Sequence, residues 1–345
     1  MVARRLGFMM SALAALAALI LPATSAAGAT LNPAVTGATS VAAATVTSRP
    51  TATSETTETT SATGVTAATV RPVLTVGGTV ADPASYTMSQ LSALPSETVS
   101  LPIGGHTVQV TGVSLDSLVT LASPVLPSAK NALLRALVTV SGPLGHPVTF
   151  ALGELDSGFG HHDAVLVLSV NGRTLPTGPA LAVPGDRPPL RDLLAVRQIK
   201  VGVTNPAVVT PPSAGALVIE QGSRSTVLSA ATLAALPAET RTVTFTAGTS
   251  PETLTETGPT LDAVLRAAHI RTGFTTWVAA VGSDGYVATV TPAEAWAGGR
   301  PLLISLAEDG TPLAAPRLVT DGDVKGGRYV SGVYDLVVGQ GSPAS

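Results

Sequence analysis

Beyond residue 70 the apolar positions recur mostly with a period of two, which predicts strands, and only short stretches keep the spacing of a helix. Val73-Leu74-Thr75-Val76-Gly77-Gly78 alternates like a strand, Asp82-Pro83 marks a turn, and Ser89 to Leu94 is a short helix stopped by Pro95. Thr98–Leu101 and Thr107–Val110 are predicted to pair as a hairpin across Gly104-Gly105. Ser114 is a good cap for a helix over Leu115–Leu121, where Leu115, Leu118 and Val119 share a face. Strands follow at 136–141, 148–151, 164–170 and 199–203. Further on, a helix is expected over 261–268 behind Thr260, with strands at 276–281, 287–291 and 302–306. Strands with a few short helices predict an α+β fold.

The pattern occurs twice. Ala93-Leu94-Pro95-Ser96-Glu97-Thr98 returns as Ala235-Leu236-Pro237-Ala238-Glu239-Thr240, and Thr111-Gly112 with Leu115-Asp116 returns as Thr257-Gly258 with Leu261-Asp262. The echo continues through Glu154 and Glu294, Asn171-Gly172 and Asp309-Gly310, then Gly185-Asp186 and Gly322-Asp323. A period of roughly 140 residues predicts duplicated whole domains, since solenoid repeats run about 20–50 residues. The domains are expected at 71–203 and 215–340, with a Pro-rich linker at 204–214 and a short tail at 341–345.

Ahead of them, Arg4-Arg5, the apolar run Leu6–Pro22 and Ala27-Gly28-Ala29 predict a signal peptide over 1–29, hence a secreted or cell-envelope protein. A membrane enters only if that segment stays uncleaved. Residues 30–70 are almost entirely Thr, Ala, Ser, Val and Gly, with three charges, Arg49, Glu55 and Glu58, and are expected to be a disordered stalk.

Charge narrows the partners. At a net charge of -3, with 12% charged and 3% aromatic residues, the chain lacks the basic field and stacking surfaces that nucleic acid needs. The partner expected instead is a small anion or a protein. There is no cysteine, so no disulfide and no thiolate.

The order of a Leu-Pro-ended helix, Gly112-x-x-Leu115-x-x-Leu118, a hairpin followed by Glu154 or Glu294, Asn171-Gly172-x-x-Leu175 and a closing Gly326-Gly327-Arg328 resembles the molybdopterin-binding domain of sulfite-oxidase-type oxidoreductases. The resemblance implies a fold class of two tandem sulfite-oxidase-like domains, mostly strands with short helices. It further implies a Gly-x-Arg turn lying against the pterin phosphate, which makes Lys325, Gly326, Gly327, Arg328 and, in the first copy, Arg191 the candidate cofactor-binding residues. The chain departs from the family where a cysteine thiolate would bind molybdenum, having Pro102-Ile103-Gly104-Gly105 and Thr246-Ala247-Gly248 there. It also has Ser331 and Gly332 where the family carries a basic residue and an aromatic.

Other polar candidates have plainer readings. His161-His162-Asp163 would suit a metal ion but lacks further ligands and reads as an exposed loop. Glu154 and Glu294 read as solvent-facing helix residues, and the Gly-Asp pairs as turns. Trp277, Trp296 and Tyr329 would wall a pocket in the second copy. No catalytic residue and no metal site is assigned. Two readings remain: a non-catalytic binding or scaffolding module with no cofactor, or a molybdopterin-dependent oxidoreductase whose metal is held by a residue other than cysteine.

Overall fold

The computed structural model describes residues 71–103, 105–187, 190–207 and 213–343, all in one compact unit. The expected signal peptide and stalk lie outside the described residues, as do 208–212 of the expected linker.

The first half runs β1 (Leu74–Gly78), β2 (Ala84–Tyr86), α1 (Met88–Ser92), β3 (Glu97–Ile103), β4 (His106–Ser114), α2 (Leu115–Leu121), a 3-10 turn (Ala132–Arg135), β5 (Ala136–Ser141), β6 (Val148–Ala151), α3 (Leu152–Leu155), β7 (Val165–Val170), β8 (Arg173–Thr174), β9 (Ala180–Ala182) and β10 (Gln198–Val203). The second runs β11 (Leu217–Gln221), β12 (Arg224–Leu228), α4 (Ala230–Ala234), β13 (Ala238–Ala247), β14 (Ser250–Pro259), α5 (Leu261–Ala267), β15 (Thr276–Gly282), β16 (Val287–Val290), α6 (Pro292–Trp296), β17 (Leu302–Glu308), β18 (Thr311–Thr320), a 3-10 turn (Gly326–Arg328) and β19 (Val333–Gln340).

Four sheets result. Their orders are β2-β1-β10-β5-β6 and β3-β4-β7-β8 in the first half, β12-β11-β19-β15-β16 and β13-β14-β17-β18 in the second. In each half the first strand lies parallel to the last, β1 beside β10 and β11 beside β19.

The expected fold class, α+β with two tandem sulfite-oxidase-like domains, is corrected by this architecture. Among the described residues strand takes 47% and helix 15%, and the four sheets are arranged as a four-bladed β-propeller. The physical reason is the length of the helices. Those named above run from four to seven residues, too few turns to make a layer over a sheet. Strands such as β15 and β16 are buried along their whole length instead, partly by other strands. Leu137 and Ala151 of the first half share a core with Trp277, Ala279, Val281 and Val287 of the second.

The recurring sequence signals have local causes. Ser114 and Thr260 cap α2 and α5 by accepting from the N–H of Ser117 and Ala263. The Thr-Gly steps exist because a Cβ at Gly112 or Gly258 would stand 2.2 or 2.1 Å from the carbonyl oxygen of Leu166 or Ile304. Strands β4 and β14 therefore approach their neighbours more closely than any side chain allows.

Candidate functional site

Short helices α3 and α6 carry Glu154 and Glu294 into the interior, and both residues are fully buried. The expectation of solvent-facing glutamates is corrected: both side chains point inward, where buried arginines take up their carboxylates. Each glutamate meets an arginine and an aspartate from a turn further along the chain. Arg191 donates from Nη1 to Glu154 Oε1 at 2.6 Å and from Nε and Nη2 to the two oxygens of Asp186 at 2.6 and 2.8 Å. Arg328 donates from Nη1 to Glu294 Oε2 at 2.7 Å, from Nε to Asp323 Oδ2 at 2.8 Å, and from Nη2 to Asp323 Oδ1. The same fork of charge-assisted bonds is thus built twice. The Gly-Asp turns supply it, with Gly185 and Gly322 at φ 92° and 90°, a conformation costly for residues with a Cβ.

A second cation closes each cluster. In the first half it is His162, Nδ1 at 3.2 Å from Glu154 Oε1 and Nε2 at 3.2 Å from Asp186 Oδ1. In the second it is Arg300, which donates to Asp323 Oδ1 at 2.8 Å. The exposed His161-His162-Asp163 loop is corrected in the same step, because the His162 side chain is 7% exposed and packed into the cluster. Glu154, Asp186, Glu294 and Asp323 then face Arg191, His162, Arg328 and Arg300, and the charges balance when His162 carries a proton. Burial works against that proton, but hydrogen bonds to Asp186 and Glu154 outweigh it and push His162 up to about 9. Burial likewise works to raise Glu154, yet Arg191, His162 and Arg328 hold its carboxyl well below the usual range. Glu294 is raised, by burial first and then by the charge of Glu154, against the pull of Arg328. Nearby Asp192 is pushed up to about 6 by burial, although the Val183 N–H donates to it.

The clusters join the halves. Thr291 Oγ1 donates to Glu154 Oε2 at 3.3 Å, Arg300 Nη1 to the Gly160 carbonyl at 2.6 Å, and the Arg187 N–H to the Ala297 carbonyl at 2.9 Å.

Above the Arg328 cluster lies an open cleft of about 540 Å³. Lys130, Asn131 and Phe159 from the first half line it together with Phe245, Thr246, Ala247, Gly248, Asp284, Tyr286, Lys325, Gly326, Gly327, Tyr329 and Ser331 from the second. Among the described residues neither Lys130 nor Lys325 is in a salt bridge, so two ammonium groups stand against the one carboxylate of Asp284. Asn131 Nδ2 donates to Tyr286 Oη at 2.8 Å, and that hydroxyl donates to the Gly327 carbonyl at 2.5 Å, which fixes the ring across the two halves. Burial raises both Tyr286 and Tyr329, so the wall stays phenolic and uncharged.

The structure divides the candidate residues. Lys325, Gly326 and Gly327 line the cleft. Arg191 and Arg328 do not: both are fully buried, and their guanidinium groups are taken up by carboxylates. The two glycines are required by aromatic rings, since a Cβ at Gly326 would lie 2.6 Å from Phe245 and one at Gly327 2.2 Å from Phe159. Of the expected aromatic walls only Tyr329 reaches the cleft. Trp277 sits in the core between the halves, and Trp296 stacks edge-on against Phe274 at 4.8 Å. Phe159, Phe245, Tyr286 and Lys130 were not foreseen. They come from four separate segments, and no local pattern links them.

Molybdopterin, implied by the resemblance, does not fit these residues. The hairpin tip Thr246-Ala247-Gly248, where the family's cysteine would fall, offers the cleft a hydroxyl, a methyl and backbone, and the chain has no thiolate. The arginine expected at the phosphate is already neutralised by Glu294 and Asp323.

Comparison with known proteins gives little. No family model matches the chain, and no curated protein does. Among solved structures it is similar to the sulfane dehydrogenase SoxCD from Paracoccus pantotrophus, with 15% identity over 69% of this chain and 76% of that one, at a TM-score of 0.30. A likeness that loose fixes no residue correspondence.

Proposed function

We propose that this chain is a non-catalytic binding module that takes a small anion in the cleft between its halves. The observation that carries the reading is the pairing of Lys130 and Lys325, one from each half, beside the uncharged rings of Phe159, Tyr286 and Tyr329. Two point charges over a partly apolar wall suit a compact anion such as a phosphate group, with room for an attached ring. The halves are read as duplicated copies, on the strength of strand orders that match but for β9, which pairs with β7, and of twin Glu-Arg-Asp networks. The predicted leader sets the module in a secreted or cell-envelope location.

Titration with inorganic phosphate tests the reading. Lys130→Ala and Lys325→Ala should each weaken binding by about fivefold, the equivalent of ~1 kcal/mol for an exposed charge pair. Saturable binding that neither substitution alters would refute the cleft as the site. Stoichiometric molybdenum in protein from its native host would contradict the non-catalytic reading itself.

A further inference from the structure

We propose that the protonated imidazole of His162 holds the floor of this cleft in shape, so that losing its proton releases the floor and weakens the ligand site. The inference rests on the reading of the cleft above and names its regulation.

The link is a short loop. Phe159, whose ring lies against Gly327, is three residues from His162. The Phe159 carbonyl accepts from the Val324 N–H at 2.7 Å, beside Lys325, and the Gly160 carbonyl accepts from Arg300. At the far end the His162 N–H donates to the Glu154 carbonyl at 3.0 Å, and its ring is gripped by Glu154 and Asp186. Between these ends His161 is held at φ 50°, in the left-handed region that a residue with a Cβ adopts at a cost. The loop keeps this conformation because both its ends are tied down.

The groups facing His162 act on its proton in both directions, the two carboxylates holding it while burial and Arg191 oppose it. Glu154 comes from α3, and Asp186 and Arg191 come from the 185–191 turn. From the loop after α6, a Cβ on Gly298 would lie 2.7 Å from the imidazole. Glu294, Arg300 and Arg328 complete the charged surroundings, with His161 and Asp163 exposed on either side. Without its proton the ring either turns a lone pair on Nε2 toward Asp186 at 3.2 Å or keeps one on Nδ1, between Glu154 at 3.2 Å and Arg191 Nη2 at 3.4 Å, and of the two cations in this cluster only Arg191 remains against Glu154 and Asp186. A buried net charge of that kind is relieved by admitting water, and the loop carrying Phe159 is what must move. In the second half Arg300 stands in for His162 and cannot lose its proton.

The test uses the full chain labelled with 4-fluorophenylalanine, the Phe159 resonance being assigned with Phe159→Leu. In the unchanged protein that resonance should move with a midpoint near pH 9, where burial and the two carboxylates place His162. In His162→Arg it should stay still, and in His162→Gln it should already sit at the high-pH position at neutral pH. A shift identical in the unchanged protein and His162→Arg, no shift in the unchanged protein, or a His162→Gln resonance at the low-pH position would each overturn the proposal. Phosphate titrations of the same samples should show affinity falling about fivefold more in the unchanged protein than in His162→Arg between about pH 7.5 and 10. Absent phosphate binding with the Phe159 shift intact would refute the cleft as an anion site and leave the switch standing. Phosphate binding with a pH-indifferent Phe159 would do the reverse.

Discussion

The two buried clusters are built to one plan and differ at one cation. Glu154, Asp186 and Arg191 in the first half repeat as Glu294, Asp323 and Arg328 in the second, with the same guanidinium atoms reaching the same partners. His162 then stands where the second half has Arg300. The comparison teaches that ion pairs this deep are kept by charge balance, because each carboxylate left over costs more than any one pair contributes. One half balances permanently. The other balances only while an imidazole is charged.

The strongest way to break the comparison removes a central arginine. Arg191→Leu and Arg328→Leu should each cost about 3–5 kcal/mol in urea unfolding, because each strands two carboxylates in the interior. Losses under ~1 kcal/mol in both would mean that the clusters are hydrated and the plan immaterial.

Next in size is the dependence on pH. His162 is raised in the folded state to about 9, from about 6.5 when unfolded. Its contribution is therefore complete below about pH 6.5 and is lost as pH climbs through 9, a fall of about 3 kcal/mol. His162→Arg should abolish that fall. The reverse exchange, Arg300→His, should give the second half a loss of its own above neutral pH, seen as a steeper decline in melting temperature than in the unchanged protein.

Smaller effects separate the glycines of the cleft. Gly327→Ala should destabilise by about 1–3 kcal/mol, its methyl meeting the Phe159 ring. Gly326→Ala should cost less, since its Cβ would stand 2.6 Å from the Phe245 ring against 2.2 Å for Gly327 and Phe159. Combining Gly327→Ala with Phe159→Leu should recover most of the loss in a double-mutant cycle, and full additivity would show that the ring does not rest on Gly327.

Much of this was visible in the chain. Alternation located most strands of the first half, and Ser114 and Thr260 marked their helices because capping is a local event. The recurrence of Glu154, Asp186 and Arg328 with their counterparts was visible too, yet the glutamates were placed in solvent. In a chain with 12% charged residues, charges that return at matched positions are more economically explained by pairing than by surface. His162 was hidden for a different reason. Its counterpart is an arginine, so the two halves agree in charge but not in residue type. The fold class was misjudged because β11, β12, β13, β14, β18 and β19 were not recognised as strands, which left the helices seeming a larger share than they are. The cleft was hidden almost entirely, since Lys130 and Lys325 are 195 residues apart and meet only through the packing of two halves.

The central claim is that the first cluster is neutral because His162 is protonated. Following the His162 imidazole resonances by NMR through a pH titration measures this directly. The account predicts a midpoint near 9, with both ring nitrogens carrying protons at pH 7. A midpoint near the ordinary value of about 6.5 would contradict it.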